Sequence, residues 1–578
     1  MYTEETRGIL AKYLKDLLKK YGIDEKYIGT ASNEQNYINI LRDKKVILDE
    51  EFFKHLAKDL NLEYIEKAAL RNKSNLAMGL PFNVIKKNLI FILNISSKKV
   101  KIATANPFNF KLFKELGRIF KRDIEICVAT IDAIEESLDY GYREIHTYKA
   151  LGELRDRAPE ESAFTVLYKW QKIFIICAAI FLIICLVLAP TGTTFILFLF
   201  VNLLYFFLNP FKLYISLRGF ENSGKGISVT EAEVRNLNED NLPLYTVLIP
   251  VYKEAEVLSD IIINMNRMDY PKDKLDIKVL VEEKDDITLN EARRLGLIGG
   301  KPEVMLGNMS AEEYQEYTKI FEILIVPDAD IKTKPRACNY GLYRARGEFV
   351  CIYDAEDEPD IDQLKKAIVA FSKVDDSYIC LQGHLNFYNP KENLLARWFS
   401  LEYSFWFDYW LQGLDFVDAP LPLGGTSNHF KTKTLKTLGG WDPYNVTEDA
   451  DLGIRISMRQ YNTAMLNSYT LEEANLEVWN WIRQRSRWFK GYMQTFLVHM
   501  RFPLRFVKAL GPKKFTFFML TFGGNILLPL INPILWIVTL LTLFFPAASD
   551  YLFPPELQTI CEFNLILGNL IYIVLHIG

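Results

Sequence analysis

FVCIYDAEDEPD, residues 349–360, passes from five consecutive apolar or aromatic residues directly into a run of carboxylates. A short apolar run of this kind predicts a buried strand, and the carboxylates repel one another unless a cation binds beside them. Mg²⁺ takes few protein carboxylates and shares its other positions with phosphate oxygens. The spacing of Asp354 and Glu356 lets both side chains point to one side, so the stretch predicts a metal-diphosphate site. A solvated acidic loop is the alternative.

Four further short apolar runs, separated by helical segments, occupy the region around this stretch. They predict strands at 246–250, 277–281, 323–326 and 378–381. Strands that alternate with helices imply a mostly parallel sheet covered on both faces. Ligands of such sheets bind beyond the carboxyl ends of the strands. We therefore expect an α/β domain whose site is formed by the polar residues that follow each strand.

A second acidic cluster, TEDAD, occupies residues 447–451. A sugar hydroxyl that attacks an activated carbon must lose its proton, so transfer with inversion needs one carboxylate as base. Asp449 is the candidate for that role. The alternative is structural, because Thr447 followed by acidic residues is also a good start for a helix. The cluster alone does not decide between the two.

The third element is RQRSRWFKG, residues 483–491. If this segment is helical, Gln484, Arg487 and Trp488 share one face. Arginine can hold a diphosphate with its planar guanidinium, and tryptophan can offer a flat apolar surface to a sugar ring. A basic helix at a membrane surface is the competing explanation. The combination with two acidic clusters favours a site for a sugar diphosphate.

Two charge-free apolar runs, 173–188 and 195–207, follow one another across a short turn. Each is about long enough to cross a hydrocarbon layer of ~30 Å once its flanks are counted. Lys169 and Lys172 precede the pair, Lys212 and Arg218 follow it, and the turn carries no basic residue. The positive-inside rule therefore predicts a transmembrane hairpin at 169–218 with both outer flanks in the cytosol. A buried core hairpin is the alternative.

Further apolar runs lie at 515–545, interrupted by glycine and proline, and from Phe563 to the last residue, Gly578. We expect interfacial and transmembrane helices at 501–578. Because the last run is still apolar where the sequence stops, we expect the sequence to be part of a longer protein. By parity the polar region 219–500 is cytosolic, and the chain is expected to cross the inner (cytoplasmic) membrane several times.

Composition excludes some classes of function. The 578 residues are too many for one core, and a net charge of −4 gives no reason to expect nucleic acid as a partner. The seven cysteines form no CxxC pair and no metal-ligand spacing, which indicates reduced thiols in a cytosolic setting. The six histidines are equally scattered, so no zinc site is predicted.

These motifs resemble those of the membrane-bound family-2 glycosyltransferases that build polysaccharides, such as cellulose, chitin and hyaluronan synthases. That family carries an acidic DxD-type motif, a TED triplet and Q-x-x-R-W, which stand here at 354–356, 447–449 and 484–488. The segments IPVYKE at 249–254, KPRACN at 334–339 and GGTSN at 424–428 are also similar. The resemblance implies a GT-A fold, a UDP-sugar donor, Mg²⁺ or Mn²⁺, inversion at the anomeric carbon and a growing polysaccharide as acceptor.

The resemblance also assigns roles to individual residues. Asp449 would be the base, and Asp354 and Glu356 would hold the metal. The residues that would bind the donor are Tyr252, Glu254, Glu283, Asp285, Lys334, Arg336, Asp354, Gln484 and Arg487. Those that would bind the acceptor are Gly425, Thr426, Glu448 and Trp488.

Two departures from the family pattern affect these assignments. Glu356 replaces the second Asp of the DxD pair and reaches one methylene further. The usual Asp-Asp that holds uracil is replaced by EEKDD at 282–286, so Glu283 and Asp285 share that role.

Residues 1–145 predict a separate small α+β domain with strands at 89–93, 100–104 and 124–128, and residues 146–168 predict a charged linker. The region 35–142 resembles the N-terminal (MshEN-like) domain of type II secretion and pilus-assembly ATPases, which also occurs in a phage-adsorption-protein type of glycosyltransferase. Some such domains bind cyclic di-GMP. Their ligand-binding glycines are replaced here by residues 41–43 and 45–47, so a docking domain without a ligand stays open.

Three functions remain open on the sequence. The first is a processive synthase that passes its polysaccharide through its own membrane helices, among membrane lipids and with an envelope export partner. The second is a transferase that adds one sugar to a lipid-linked acceptor. The third is a non-catalytic scaffold that responds to cyclic di-GMP.

Overall fold

The computed structural model describes residues 16, 19, 38, 50–71, 80, 82–222, 227–299, 302–307, 309–545 and 555–577. The chain divides into two compact units, Met1–Tyr148 and Lys149–Gly578. The predicted α/β domain, the small N-terminal domain and the long apolar helices are all present, so the predicted fold class is confirmed. The substituted positions 41–43 and 45–47 lie outside the described residues.

The first unit contains a four-stranded mixed sheet with helices packed on it. Its strands are β1 (Glu63–Tyr64), β2 (Ile90–Ile95), β3 (Lys99–Thr104) and β4 (Asp123–Val128), in the order β1-β4-β3-β2. Strand β2 is antiparallel to β3, whereas β3 and β1 are parallel to β4. The helices are α1 (Glu50–Asp59), α2 (Lys67–Arg71), α3 (Phe82–Asn88), α4 (Phe110–Phe120) and α5 (Ile131–Arg157).

The second unit is built on an eight-stranded mixed sheet. Its strands are β5 (Tyr245–Val251), β6 (Leu275–Glu282), β7 (Phe321–Val326), β8 (Phe349–Ile352), β9 (Glu358–Pro359), β10 (Tyr378–Phe387), β11 (Asn428–Lys431) and β12 (Asn462–Glu472). The order is β7-β6-β5-β8-β11-β10-β12-β9. The first four strands in that order are parallel, and β11 is antiparallel to both of its neighbours. The carboxyl ends of β5, β6, β7 and β8 therefore meet at one edge, where the site is expected.

The helices of the second unit cover the sheet or form long apolar rods. They are α6 (Lys169–Leu188), α7 (Pro190–Asn222), α8 (Glu231–Arg235), α9 (Leu258–Arg267), α10 (Asp286–Arg294), α11 (Ala311–Thr318), α12 (Lys334–Arg344), α13 (Gln363–Lys373), α14 (Leu394–Ser404), α15 (Leu411–Phe416), α16 (Thr432–Thr437), α17 (Glu448–Met458), α18 (Val478–His499), α19 (Pro503–Leu510), α20 (Pro512–Phe518), α21 (Gly524–Phe544) and α22 (Pro555–Ile577). Two π-helical turns occupy Phe405–Trp410 and Met519–Gly523.

Three helical stretches among the described residues are long and apolar enough to cross a membrane. They are Lys169–Leu188, Pro190–Asn222 and Pro512–Leu541, with mean hydropathies of 2.7, 1.9 and 1.8. A shorter apolar stretch, Thr559–Leu575, lies in α22. The predicted turn after the first span is almost absent, because Pro190 starts the next helix directly and proline is well tolerated at that position.

The structure differs from the predicted linker at 146–168. Helix α5 continues to Arg157, and the segment after it packs into the second unit, where Ala158, Glu161, Ser162 and Ala163 are buried. Charged composition suggested solvation, but these backbone groups find partners on residues far along the chain.

Candidate active site

Strand β8 ends in a loop that is held by a buried carboxylate. The Asp357 side chain accepts a hydrogen bond from the Asp354 backbone N–H at 2.7 Å and another from the Thr426 hydroxyl. Burial and then the charge of Asp354 raise the pKa of Asp357 well above its usual range. The buried Asp357 therefore holds the loop through these hydrogen bonds, whereas Asp354 and Glu356 are more accessible to solvent. The sequence analysis did not single out Asp357.

Lys334 ties this loop to the predicted acceptor segment. Its ammonium Nζ lies 2.5 Å from Asp354 Oδ1 and donates to the Gly425 carbonyl at 2.8 Å. Burial lowers the pKa of Lys334, but the charges of Asp354 and Glu448 outweigh that effect and its pKa lies above the ordinary value. The structure thus brings together a predicted donor-binding residue, a predicted metal ligand and a predicted acceptor residue.

The candidate base, Asp449, lies beside the same glycine, Gly425. A Cβ atom added to Gly425 would lie 3.4 Å from Asp449 Oδ2 and 3.6 Å from Lys334 Nζ. Removal from water raises the pKa of Asp449 to about 6. Burial and the charge of Asp449 raise the pKa of Glu448 to about 8. An Asp with a pKa near 6 is mostly ionised at neutral pH and basic enough to take a proton.

Helix α18 holds the segment that carries the base. Asn445 Nδ2 donates to Thr495 Oγ1 at 2.9 Å, and the Val446 backbone N–H donates to Gln494 Oε1 at 3.2 Å. A Cβ atom at Gly491 would lie 2.4 Å from side-chain atoms of Thr447. Only glycine permits this close approach, so the Q-x-x-R-W helix and the TED segment form one packed unit.

The three residues singled out on α18 have different surroundings. Gln484 Oε1 accepts from Asn475 Nδ2 at 2.8 Å. Trp488 lies in an aromatic cluster, with the guanidinium of Arg485 4.9 Å from its ring centre. Arg487 is exposed, lines a shallow pocket with Gln484, and contacts neither Asp354 nor Glu356 in the described part of the chain. Helicity is as predicted, but the structure does not bring Arg487 onto the carboxylates.

At the carboxyl ends of β5 and β6, Glu283 and Asp285 have different hydrogen-bond partners. Asp285 is buried, caps helix α10 through the Thr288 backbone N–H, and accepts from the Lys253 backbone N–H at 2.5 Å. Glu283 Oε2 accepts from the Asp328 backbone N–H at 3.0 Å. Both oxygens of Asp285 are therefore engaged in holding the edge together, whereas Tyr252 lies exposed beside it.

Arg336 differs from the predicted donor-binding role. It is 1% exposed, and its guanidinium donates to both oxygens of Glu282 at 2.9 Å and to the Pro327 carbonyl. A buried carboxylate at the end of β6 needs such a partner. Arg336 thus stabilises the buried Glu282 carboxylate at the end of β6.

Two further carboxylates lie at this edge: Glu254, a predicted donor-binding residue, and Glu472, which the sequence analysis did not name. Partial burial, with the charges of Glu356 and Asp354, raises the pKa of Glu254. Burial and the charges of Asp357 and Asp354 raise the pKa of Glu472, at the end of β12, well above its usual range. Glu472 was missed because its position follows from the pairing of β12 with β10, which no local motif reveals.

These carboxylates fit the predicted divalent cation. Burial and then the charge of Asp354 raise the pKa of Glu356, and a bound cation would relieve the repulsion between these carboxylates. Within the described ranges, no group of three or more His, Cys, Asp or Glu side chains is placed to hold a metal by itself. Asp354 and Glu356 would thus supply part of a ligand set that phosphate oxygens complete.

Known proteins resemble this chain over two regions. The model described as glycosyl transferase family group 2 matches residues 349–575, and the MshEN domain model matches residues 60–147. The probable glycosyltransferase YdaM of Bacillus subtilis (strain 168) is 27% identical over 298 residues. That match covers 50% of this chain and 65% of the relative, so the chain spans less than two thirds of the relative's length.

Two solved structures are also similar to this chain. The mannosyltransferase PcManGT from Pyrobaculum calidifontis, solved with GDP-Man and Mn²⁺, is 18% identical with a TM-score of 0.35, over 64% of this chain and 98% of that chain. S. aureus TarS 1–349 with UDP-GlcNAc is 14% identical with a TM-score of 0.32, over 57% and 90%. The resemblance predicted from the motifs is confirmed by the family matches: residues 349–575 are similar to glycosyl transferase family group 2, and residues 60–147 are similar to the MshEN domain.

Proposed function

We propose that this chain is a membrane glycosyltransferase that moves a sugar, with inversion, from a nucleotide-sugar to a hydroxyl acceptor. The observation that carries the proposal is the meeting of three groups at Gly425. Asp354 Oδ1 lies 2.5 Å from Lys334 Nζ, and Asp449 Oδ2 faces the same glycine. A cation, a metal-binding carboxylate and a base within one small space are what this transfer requires.

In the proposed reaction Asp449 takes the proton of the acceptor hydroxyl as its oxygen attacks the anomeric carbon of the donor. The bond between that carbon and the diphosphate oxygen breaks on the opposite face, and the nucleoside diphosphate leaves with the electron pair. Lys334 lies where its charge would stabilise the leaving diphosphate. The absence of a side chain at Gly425 leaves room for the acceptor beside the base.

Asp354 and Glu356 would hold Mg²⁺ or Mn²⁺. When bound, the ion neutralises charge on the diphosphate and orients it. We propose a UDP-sugar as donor, with Tyr252, Glu254 and Glu283 along the edge that would receive the nucleotide.

The acceptor we propose is a growing polysaccharide. The aromatic cluster around Trp488 offers flat apolar surface of the kind that binds sugar rings, and the three long apolar helices support action at a membrane, with the catalytic region cytosolic. For the N-terminal unit we propose regulation by cyclic di-GMP, which rests on the MshEN match.

The test is release of nucleoside diphosphate by detergent-solubilised protein. The assay offers a panel of UDP- and GDP-sugars with Mg²⁺ or Mn²⁺, with and without cyclic di-GMP, and follows product length. Turnover with one donor and a long product supports the synthase. Turnover that stops after one sugar on a lipid-linked acceptor assigns the single-addition reaction instead. No turnover with any donor and acceptor would favour a scaffold.

A further inference from the structure

The segment 158–166, here called the strap, lies between the end of α5 and the first apolar helix α6. It has no regular secondary structure, yet Ser162 is 1% exposed and Ala163 is 4% exposed. A buried irregular segment must find partners for its backbone polar groups. The strap finds them on two charged side chains of the catalytic region, Asp442 and Arg501.

Asp442 is the anchor on one side. Its carboxylate accepts from the Ser162 hydroxyl at 3.1 Å and from the Ala163 backbone N–H, and it is fully buried. The same carboxylate accepts from the Tyr444 backbone N–H at 3.2 Å. One side chain therefore joins the strap to the start of the loop 442–447.

Arg501 is the anchor on the other side. Its guanidinium donates to the strap carbonyls of Pro159, Glu160 and Ser162 at 3.1, 3.2 and 3.1 Å, and to that of Thr165. Arg501 is 1% exposed, so its charge is neutralised largely by these carbonyl dipoles. A third link, between Glu161 and Arg459 at 2.6 Å, joins the strap to the end of α17.

The loop 442–447 leads directly into Glu448 and the candidate base Asp449. Besides Tyr444, three amides of this loop have partners: Asn445 N–H donates to the Asp442 carbonyl at 3.2 Å, Val446 N–H to Gln494 Oε1 at 3.2 Å, and Thr447 N–H to Asn445 Oδ1 at 3.1 Å. The position of the base thus depends on the strap at one end of the loop and on α18 at the other. Neither set of contacts involves the predicted donor-binding or acceptor-binding residues.

We propose that the strap positions the catalytic base, with Asp442 and Ser162 as positioning residues whose contacts hold the loop 442–447 in register for transfer. This inference rests on the proposed function of Asp449. Of the three attachments of the strap, the one through the Asp442 carboxylate leads most directly along the chain to the base, because Asp442 begins the loop 442–447.

The decisive variant is Ser162→Ala in the full chain, with Glu160→Gln as the matched control, because the Glu160 side chain is exposed and only its carbonyl contacts Arg501. Ser162→Ala should lower kcat for transfer about tenfold while affinities for UDP and GDP stay unchanged, since small displacements of a reacting group are costly. Hydrogen exchange at amides 444–447 should accelerate in this variant and not in the control.

Asp442→Asn should give a larger fall in kcat, and adding Ser162→Ala to it should change little further, because both act through one contact. If Asp442→Asn does not fold, Ser162→Ala decides. Unchanged exchange at 444–447, or a fall in nucleotide affinity that matches the fall in transfer, would overturn the inference. Absence of transfer by the parent protein contradicts the proposed function, while the exchange measurement still decides whether the strap holds the loop.

Discussion

At the scale of single residues, Lys334 balances carboxylates that come from separate parts of the chain. Its ammonium contacts Asp354 directly, and the charge of Glu448 acts on it as well. In the proposed reaction, the Lys334 ammonium would exchange its carboxylate partner for the diphosphate, and the carboxylate would then be free to bind the metal. The two predictions at this scale test the base and its surroundings.

Asp449→Asn should abolish transfer and leave nucleotide binding nearly intact. The base acts only on the acceptor hydroxyl, so its loss should lower kcat by about 10²–10⁴-fold. Steady-state transfer and UDP titration on the same preparation measure the two effects. Asp376→Asn serves as control, since Asp376 is fully exposed and pairs with Lys431. Near-normal turnover of Asp449→Asn would show that another group is the base.

The rate of transfer should fall as pH drops through about 6. Removal from water raises the pKa of Asp449 to about 6, and the charge of Lys334 opposes that rise. Protonated Asp449 cannot accept the acceptor proton, so the acid limb of kcat/KM reports its ionisation. Lys334→Met removes the opposing charge, and the limb should then move to higher pH. If the acid limb of the kcat/KM profile does not move in this variant, the charge of Lys334 does not act on the pKa of the base.

The residues proposed as metal ligands and base could be singled out from the sequence, because Asp354, Glu356 and Asp449 all lie in short recognisable motifs. Their supporting residues could not. Asp357 stands in the same acidic run but is turned inward by Thr426, which comes from a distant loop. Burial and partner choice of this kind depend on tertiary packing, so the sequence offered no signal to distinguish Asp357 from its neighbours.

At the scale of elements, the contact between α18 and the TED segment depends on one glycine. Gly491→Ala would place a Cβ atom 2.4 Å from Thr447 side-chain atoms, so α18 must move away. We expect a loss of about 1–3 kcal/mol in unfolding free energy and a loss of transfer. Thermal unfolding and the transfer assay measure both.

Gly523→Ala is the control for that substitution, because its added Cβ atom would meet only Phe496 at 3.6 Å. Equal effects of the two substitutions would mean that the contact with Thr447 has no special importance.

Trp488→Ala should impair acceptor use more than donor binding. Its ring lies 6.3 Å from that of Tyr403 and 6.1 Å from that of Phe399, in a cluster that can face a sugar ring. We expect KM for the acceptor to rise about tenfold, consistent with loss of one aromatic contact. Trp479→Ala, on the exposed side of the same helix, is the control. An equal rise in the donor KM would place Trp488 in the nucleotide site instead.

Strands made of largely apolar runs could be predicted from the sequence, whereas strands with several buried polar residues could not. The predicted strands 277–281 and 323–326 lie inside β6 and β7. Strands β11 and β12 carry buried polar residues, such as His429, which exchanges hydrogen bonds with Tyr245 and Gln363. The predicted strand 277–281 remained recognisable because only Lys278 interrupts its apolar run, whereas the polar residues of β11 and β12 leave no such run.

At the scale of the whole molecule, the apolar runs predicted the long helices because length and composition alone define a membrane span. The strap could not be predicted, because neither its length nor its composition marks it as a structural element. Its residues mix apolar, polar and charged types, and the buried Ser162 and Ala163 both donate to the Asp442 carboxylate. The strap belongs to the compact unit Lys149–Gly578.

The two units each have a separate hydrophobic core, and we expect them to unfold in two transitions. Phe52 is fully buried in the core of the first unit, among residues from 38 to 142. Phe52→Ala should remove about 3–5 kcal/mol from that unit and lower only one transition temperature, measured by calorimetry on solubilised protein. Ile119→Ala is the control, since Ile119 is 62% exposed and its loss should change stability little. A single transition that shifts as a whole would show that the two cores unfold together, and any ligand that binds the folded first unit would then stabilise the second unit as well.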